Sequence, residues 1–564
     1  MPKPSPETHV VLPADSNQAL GIGQYALDFM WSKPSDRGGD PDKAVLERTE
    51  LFHADACLCG VSALALGTNA PNLLRAEALT YHAPVAGFGS FGVPGSAKRL
   101  GATVFGSGAP VMPEKAVVAN SSAVREWDSN GTNFGYNPDL GHTAGEFGHN
   151  DFYPVAIAAA QQMGMDGRFA LKGMVLLDEI RGRLAEVFSL KTYKIDHVVH
   201  GAIASAATYG AMLKATPEQI EIAIGMVVAH SIPFRAIRAG KQLSDSKGCS
   251  AAISTEAAVL AVRRSMAGFL GPRDIFRNPE AIFRIFEGPG QMFQKVGASK
   301  ANTSKDYASP FELVLGRKGD DFAVMGMHFK LGLYEHQSAG ALQGLINLIT
   351  ASPRLIESGG KHIRKMVVTA YEPAFGIIGD PAKRDPKTRQ SADHSMLFLV
   401  CTKLRKAIEA GHIGHGGAAG PDGTNVWKQL MLTPFDFTDE AIHHPLTRSL
   451  MDKMTFEHGG EEYDRRYPDG IPTSIRIEDD AGKVHDSGLV MYPAGHARNK
   501  GADLKGILEH KFEVLSKLTV SGRLDGDKRA ARELVERFSN VGRKSADEVW
   551  SMNDFALPLH GRFE

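Results

Sequence analysis

The sequence predicts a mainly α protein, with a large helical part followed by a smaller α+β part. Three observations carry that expectation. From residue 154 to 268 apolar residues recur at helical spacing. Thr216-Pro217-Glu218-Gln219 spells a capping box with Pro at the first helical position. Past a Gly-, Lys- and Asp-rich stretch at 287–321, which reads as a boundary, strand-like runs alternate with helices. The 564 residues, 43% of them hydrophobic, suffice for a large core and two or more domains.

Taken in order, the first fifteen residues read as a flexible arm. From Gln18 to about Gly67, ALDFMW and AVLERTELFHADACLCGVSALALG are helical, the second passing from a charged surface into the core. Residues 83–112 are Gly-, Ser- and Pro-rich loops. VAIAAAQQM is an Ala-rich helix. LKGMVLLDEIRGRLAEVF places Leu176, Ile180 and Leu184 on one face, with Glu179 and Arg183 as an ion pair of modest worth on another. The helix after the capping box buries Ile220, Ile224, Val227 and Val228. SAAISTEAAVLAVRRSMAG ends at Gly268, with Pro272 beyond. IRKMVVTAY at 363–371 is a strand, and TSIRIE and SGLVMYP flank a turn at Ala481-Gly482. YEHQSAGALQGLINLI and SMLFLVCTKLRKAI are helices between them. A C-terminal helix presents Ala531, Leu534, Val535 and Phe538 on one face.

Composition excludes several functions. A net charge of -1 offers no basic field for nucleic acid. Cys57, Cys59, Cys249 and Cys401 do not have the spacing of a zinc site or the density of a disulfide framework. The N-terminus lacks a secretory or transit pattern, and no run of 18 apolar residues marks a membrane span. A reducing, intracellular setting is expected: the cytoplasm, or the mitochondrial matrix in a eukaryote.

The chemistry is expected in the stretch Arg125 to Pro154, REWDSNGTNFGYNPDLGHTAGEFGHNDFYP. It is polar and Gly-rich, yet interleaved with Trp127, Phe134, Tyr136, Phe147, Phe152 and Tyr153, which argues for order. Its Asp128, Thr132, His142 and His149 accept, donate or carry protons. Further clusters lie beside element ends: Asp196-His197 with His200; Arg235, Arg238, Lys241 and Lys247; His328, Lys330, Glu335 and His336; Asp393-His394; and Gly495-His496-Ala497-Arg498. Such histidines also cap helices, and basic segments are commonly solvated faces. His142 and His149, seven apart, lack the spacing of a helical metal pair. No G-x-G-x-x-G follows a strand, and neither a P-loop nor a nucleophile elbow is present. Lys and Arg suit carboxylate binding, and His suits proton transfer near neutrality. Together they point to acid–base chemistry beside a carboxylate in a small polycarboxylate, without cofactor or metal.

At these residues the chain resembles the MmgE/PrpD family, which includes 2-methylcitrate dehydratase, cis-aconitate decarboxylase and iminodisuccinate epimerase. WDSNGT resembles the family's L-D-F-D/N-D-T, EFGHND its W-G-H-P-S-D, and IDHVVHGAIASAA its G-x-D-H segment. TRQSADHSMLFLV is similar to R-x-T-A-D-H-S-x-x-Y, and YPAGHARNK to Y-P-x-G-H-x-R. Five matches in order, from about residue 45 to 515, make the resemblance specific. Asn130 and Gly131 replace acidic residues of the pattern, residues 133–145 look inserted, and Asn-Asp follows His149 where Pro-Ser is usual.

The resemblance implies a large all-α domain at 1–325, completed by a C-terminal return at 501–564, with a smaller α+β lid domain at 326–500. It also implies a homodimer with the substrate between the domains. Carried over position by position, it implies catalytic roles for Asp128, His149, His197, Lys247 and Lys330. Thr132, Lys247, Lys330, Arg235 and His336 are the expected substrate contacts. The activity implied is metal-independent dehydration of 2-methylcitrate or a related hydroxy-tricarboxylate. Decarboxylation of cis-aconitate and epimerisation of an imino- or amino-dicarboxylate are the alternatives. A catalytically dead carboxylate-binding protein and a metal hydrolase using His142 and His149 stand further off.

Overall fold

The computed structural model describes residues 5–84, 91–238, 243–284, 308–413 and 420–563. The chain is mainly α. Its helical part comprises α1 (Gln18–Trp31), α2 (Lys43–Ala65), α3 (Asn69–Ala78), α4 (Pro113–Glu126), α5 (Tyr153–Met163), α6 (Gly167–Val187), α7 (Val198–Met212), α8 (Pro217–His230) and α9 (Asp245–Met266). α5 and α7 are buried along their whole length, and α2 is buried from Phe52 to Ala65. Small residues such as Ala156, Ala159, Ala202 and Ala206 let neighbouring helices approach closely. α7 and α9 pack together, as do α4 and α9, and α2 and α4.

Local sequence sets the helix ends. Thr216 and Gln219 form the reciprocal cap at the start of α8, with bonds of 3.2 and 2.9 Å. Gly268, at φ +96°, turns the chain after α9. Among the described residues no single helix is long and apolar enough to cross a membrane. The bent pair α2 and α3 meets the length and composition alone, and the apolar half of α2 is core.

The N-terminal residues differ from the expected flexible arm. β1 (His9–Leu12) pairs antiparallel with β5 (Leu313–Gly316), Val10 opposite Leu315. β2 (Asp40–Pro41) runs parallel to β6 (Lys318–Gly319). The expected boundary at 287–321 is therefore partly structure, since residues 313–319 hold the start of the chain; residues 287–307 lie outside the described residues. β3 (Thr132–Phe134) and β4 (Phe147–His149) form a hairpin near the candidate site.

Glu179 explains how the strand pair is fastened. The spacing to Arg183 suggested an ion pair of modest worth, but both side chains are fully buried and bonded at 2.8 Å. Glu179 also accepts the backbone N–H groups of Gly316 at 2.5 Å and Ala323 at 2.6 Å. Arg183 donates to the Asp321 carbonyl at 2.9 Å. One carboxylate thus satisfies donors that α6 brings against the 313–323 segment.

After α10 (Ala339–Ala351) the strands gather in one sheet. β7 (Ile363–Ala370), β8 (Met454–His458), β9 (Thr473–Asp479) and β10 (Val484–Asp486) lie in the order β10-β9-β7-β8. β7 is antiparallel to β9 and parallel to β8. The turn holds Gly482 at φ +79°, as expected, but the strand after it is Val484–Asp486. SGLVMYP contributes only the bridge from Val490 to Thr473. Helices α11 (Arg389–Ala392) and α12 (Met396–Ala410) precede the short helices α13 (Thr424–Gln429), α14 (Asp439–Ile442), α15 (Pro445–Met451) and α16 (Glu461–Asp464). The chain then returns through α17 (Leu504–Ser521), α18 (Lys528–Phe538) and α19 (Ala546–Ser551), with α17 and α18 against α2. Ala531, Leu534 and Phe538 face inward.

Breaking a buried pair strands the surviving charge and its hydrogen-bond donors. Glu179→Ala should therefore lose about 3–5 kcal/mol in urea unfolding. A loss below about 1 kcal/mol, the range of a solvated pair, would contradict this reading.

Candidate active site

The two ends of the Arg125 to Pro154 stretch, 125–135 and 146–154, are largely buried structure, and only the tip between them, at 136–145, reaches the surface. α4 delivers Arg125 and ends at Trp127, whose indole N–H donates to Ser62 Oγ at 3.0 Å. Thr132 Oγ1 donates to the Gly148 carbonyl at 2.7 Å across the hairpin. Thr132 also exchanges backbone bonds of 3.0 and 2.7 Å with His328. Arg181 donates to Asn133 Oδ1 at 2.6 Å. It passes so close that a Cβ on Gly148 would lie 2.0 Å from its Nη1, which explains the glycine. Asn130, one of the departures from the family pattern, donates to Asn150 Oδ1 at 3.1 Å.

Asp128 lies at the centre with no solvent exposure. Its carboxylate meets Arg125 Nη1 at 2.9 Å, Lys247 Nζ at 3.6 Å, His394 Nε2 at 3.3 Å and Lys330 Nζ in direct contact. Burial alone would raise its pKa, but Arg125, Lys330 and Lys247 together hold it well below the usual carboxylate range. Lys247 bridges to Asp393 at 3.1 Å, and His394 Nδ1 donates to Asp393 at 2.6 Å. Arg389 from α11 pairs with Glu126 and sits 3.8 Å from Asp393. Burial lowers the pKa of Lys247 and of Lys330, against the pull of their carboxylates. From the far end of the chain, Lys511 donates to the carbonyls of Ser129 at 2.6 Å and Lys330 at 2.9 Å, and pairs with Asp55 at 2.6 Å. α17 thereby holds together the two backbone segments that carry Asp128 and Lys330.

A cavity of about 50 Å³ opens beside this network. Arg125, Asp128, Thr132 and His394 line one part, and Phe134 and Phe147 of the hairpin add an apolar wall. His149 and His197 line it too, their rings 5.3 Å apart. Neither ring nitrogen of His197 has a hydrogen-bond partner among the described residues, nor does His149 Nδ1. Burial first, then Arg125 and Lys330 for His149 and Arg238 and Arg235 against the pull of Asp196 for His197, lowers both pKa values well below the ordinary histidine range. His394 is pushed down to about 3 by burial and Lys247. All three imidazoles are held in the neutral form near pH 7. Arg235, Arg238, Glu335, Gln337, Ile378 and Lys383 complete the lining.

The structure thus brings Asp128, Thr132, His149, His197 and Arg235 to one cavity. Lys247 and Lys330 are engaged by Asp128 and Asp393 and are not among its lining residues. Neither is His336, whose ring lies behind Phe134 at 5.7 Å and is stacked on His328 at 5.1 Å. His142 pairs with Glu186 at 3.1 Å instead of facing the cavity with His149. Lys241 lies outside the described residues. Asp128, Asp393 and His394 are close enough to share a cation, and the Lys247 ammonium is the cation seated against both carboxylates.

Sequence reasoning gave no role to Arg125, Glu335, Gln337 or Lys383. Glu335 was legible only as a neighbour of Lys330, and nothing around Lys383 in PAKRD distinguishes it from a solvated lysine. Glu335 accepts the Gln337 backbone N–H at 2.8 Å. Burial, then the negative charge of Asp128, pushes its carboxyl up to about 7.

That shift has a sign. Between the ordinary 4.5 and about 7 the folded protein binds the proton that the unfolded chain has lost. Stability therefore falls as pH rises through that window. Glu335→Gln should remove this slope, so its stability relative to the parent should be higher at pH 8 than at pH 5. Equal differences in urea unfolding at the two pH values would contradict the assignment.

Residues 40–294 match the family model described as the MmgE/PrpD N-terminal domain. The chain is 23% identical over 436 residues to a 2-methylcitrate dehydratase of Salmonella typhi, covering 75% of this chain and 79% of that protein. It is 24% identical over 439 residues to the mitochondrial 2-methylcitrate dehydratase of Yarrowia lipolytica, covering 74% and 73%. It is 22% identical over 503 residues to a 2-methylcitrate dehydratase of Cupriavidus necator, covering 85% and 91%. The chain thus matches the MmgE/PrpD N-terminal domain over residues 40–294 and is similar over most of its length to 2-methylcitrate dehydratases.

Proposed function

We propose that this protein is a hydro-lyase that removes water from 2-methylcitrate or a closely related hydroxy-tricarboxylate by acid–base catalysis. The observation that carries the reading is the pairing of neutral, under-bonded histidines with cations around one buried cavity. The similarity to 2-methylcitrate dehydratases supports it. The segment from 326 to 500 is proposed to act as the lid over that cavity.

Dehydration breaks a C–H bond beside a carboxylate and a C–O bond on the adjacent carbon. His149, neutral and lacking a partner on Nδ1, is suited to take the proton. The charge that grows on the substrate carboxylate is met by Arg125, which lines the cavity, within the positive field of Lys247 and Lys330 around Asp128. The departing hydroxide needs a proton. His197 is held neutral, so it donates only after it has first received one. Glu335, pushed up to about 7, retains a proton on part of the population near neutrality and is the better donor at rest. Thr132 would hold the substrate from the hairpin, although its hydroxyl donates to Gly148 in the structure.

The test is proton NMR of chelator-treated protein in D₂O with 2-methylcitrate, citrate and cis-aconitate. Vinylic signals from 2-methylcitrate or citrate are expected, and His149→Ala should slow their appearance by about 10²–10⁴-fold. Itaconate from cis-aconitate would replace this reading by decarboxylation. Silence on all three would remove it.

A further inference from the structure

The cations around the site are not equivalent. Arg125 is paired with Asp128 at 2.9 Å and Asp151 at 3.7 Å, and Arg238 with Asp196, with Nη2 at 3.2 Å from Oδ1. Lys247 is paired with Asp393, and Lys330 with Asp128. Arg235 and Lys383 also line the cavity, and neither has a carboxylate within ion-pair range among the described residues. They come from segments about 150 residues apart in sequence and meet at one cavity.

Their surroundings are costly for charge. Arg235 opens a short 3₁₀ turn, Arg235–Arg238, and its backbone N–H donates to the Lys194 carbonyl at 2.8 Å. Lys383 ends another turn, Pro381–Lys383, capped by Asp380, whose carboxylate accepts the Ala382 N–H at 2.7 Å. Both side chains are half-buried. Burial first, and then the charges of Lys247 and Arg235, lowers the Lys383 ammonium to about 8, although Glu335 and Asp380 pull the other way. Two cations that repel each other in a partly desolvated pocket are stabilised by an anion placed between them. Glu335 does not fill that role fully, because its own carboxyl retains its proton up to about 7.

We propose that Arg235 and Lys383 form the clamp for the substrate carboxylate farthest from the carbon that loses its proton. This deepens the dehydratase reading and rests on it for the substrate class, a polycarboxylate. Lys247 and Lys330 then keep Asp128 company and set the field, while the open cations do the binding. The guanidinium offers a planar pair of donors, and the ammonium a point charge. Arg125, Arg235 and Lys383 line the same cavity, so a ligand with two or more carboxylates can place one on this clamp and another on Arg125.

The test measures binding, not turnover, by calorimetric titration with tricarballylate, an unreactive propane tricarboxylate. Lys383→Met and Arg235→Met should each weaken binding by about tenfold or more, the worth of a charged hydrogen bond. Lys383→Arg should restore most of it. A merely structural lysine would lower the melting temperature when removed. An unpaired cation should instead leave it unchanged or raise it in the ligand-free protein. Parent-like binding by Lys383→Met, or a parent protein that binds no tricarballylate, would overturn the clamp. Binding lost in Lys383→Met while the parent dehydrates nothing would keep the clamp and remove the dehydratase.

Discussion

The Asp128 carboxylate is fully buried, and a lone buried carboxylate is among the most expensive groups a protein can hold. Arg125, Lys330 and Lys247 remove that cost, but only while four separate pieces of chain stay in register: α4, the turn after it, the start of α9 and the 328–336 segment. Asp393, Glu126 and Arg389 extend the same balance into α11. Much of the surrounding architecture can be read as what keeps them together, including Lys511, which reaches in from α17 to bind the carbonyls of Ser129 and Lys330.

The same network divides the labour of the site. Burial first, and then the cations bound to Asp128, hold neighbouring imidazoles neutral, because adding a further positive charge to a desolvated cluster is unfavourable. Groups outside the network, Glu335, Arg235 and Lys383, keep unspent proton or charge capacity where it faces the cavity. The β3–β4 hairpin adds what the charged groups lack. Phe134 and Phe147 bring apolar surface against the polar floor, and Arg181 locks the hairpin through Asn133.

The helices were legible because their periodicity and caps are local: Thr216 and Gln219, Gly268, and the Leu176, Ile180, Leu184 row all act within a few residues. The arm at His9–Leu12 was not, since its partner is some 300 residues away and four residues carry little pattern. Glu179 and Arg183 announced a pair but not its burial, which depends on Gly316 and Ala323. In the site, Asp128, Thr132, His149, His197 and Arg235 could be flagged from residue type, motif and order. Whether a lysine is spent on a carboxylate or left open could not, because Lys330 and Lys383 differ only in what tertiary folding sets beside them.

The central claim is that Asp128 and the lysines at 247 and 330 act as one electrostatic unit. A double-mutant cycle on unfolding free energy, with Asp128→Asn, Lys330→Met and the pair combined, tests it most directly. The account predicts a coupling of at least about 2 kcal/mol, with the double variant more stable than the sum of the single losses allows. Additive losses, within about 0.5 kcal/mol, would contradict it and make the contact incidental.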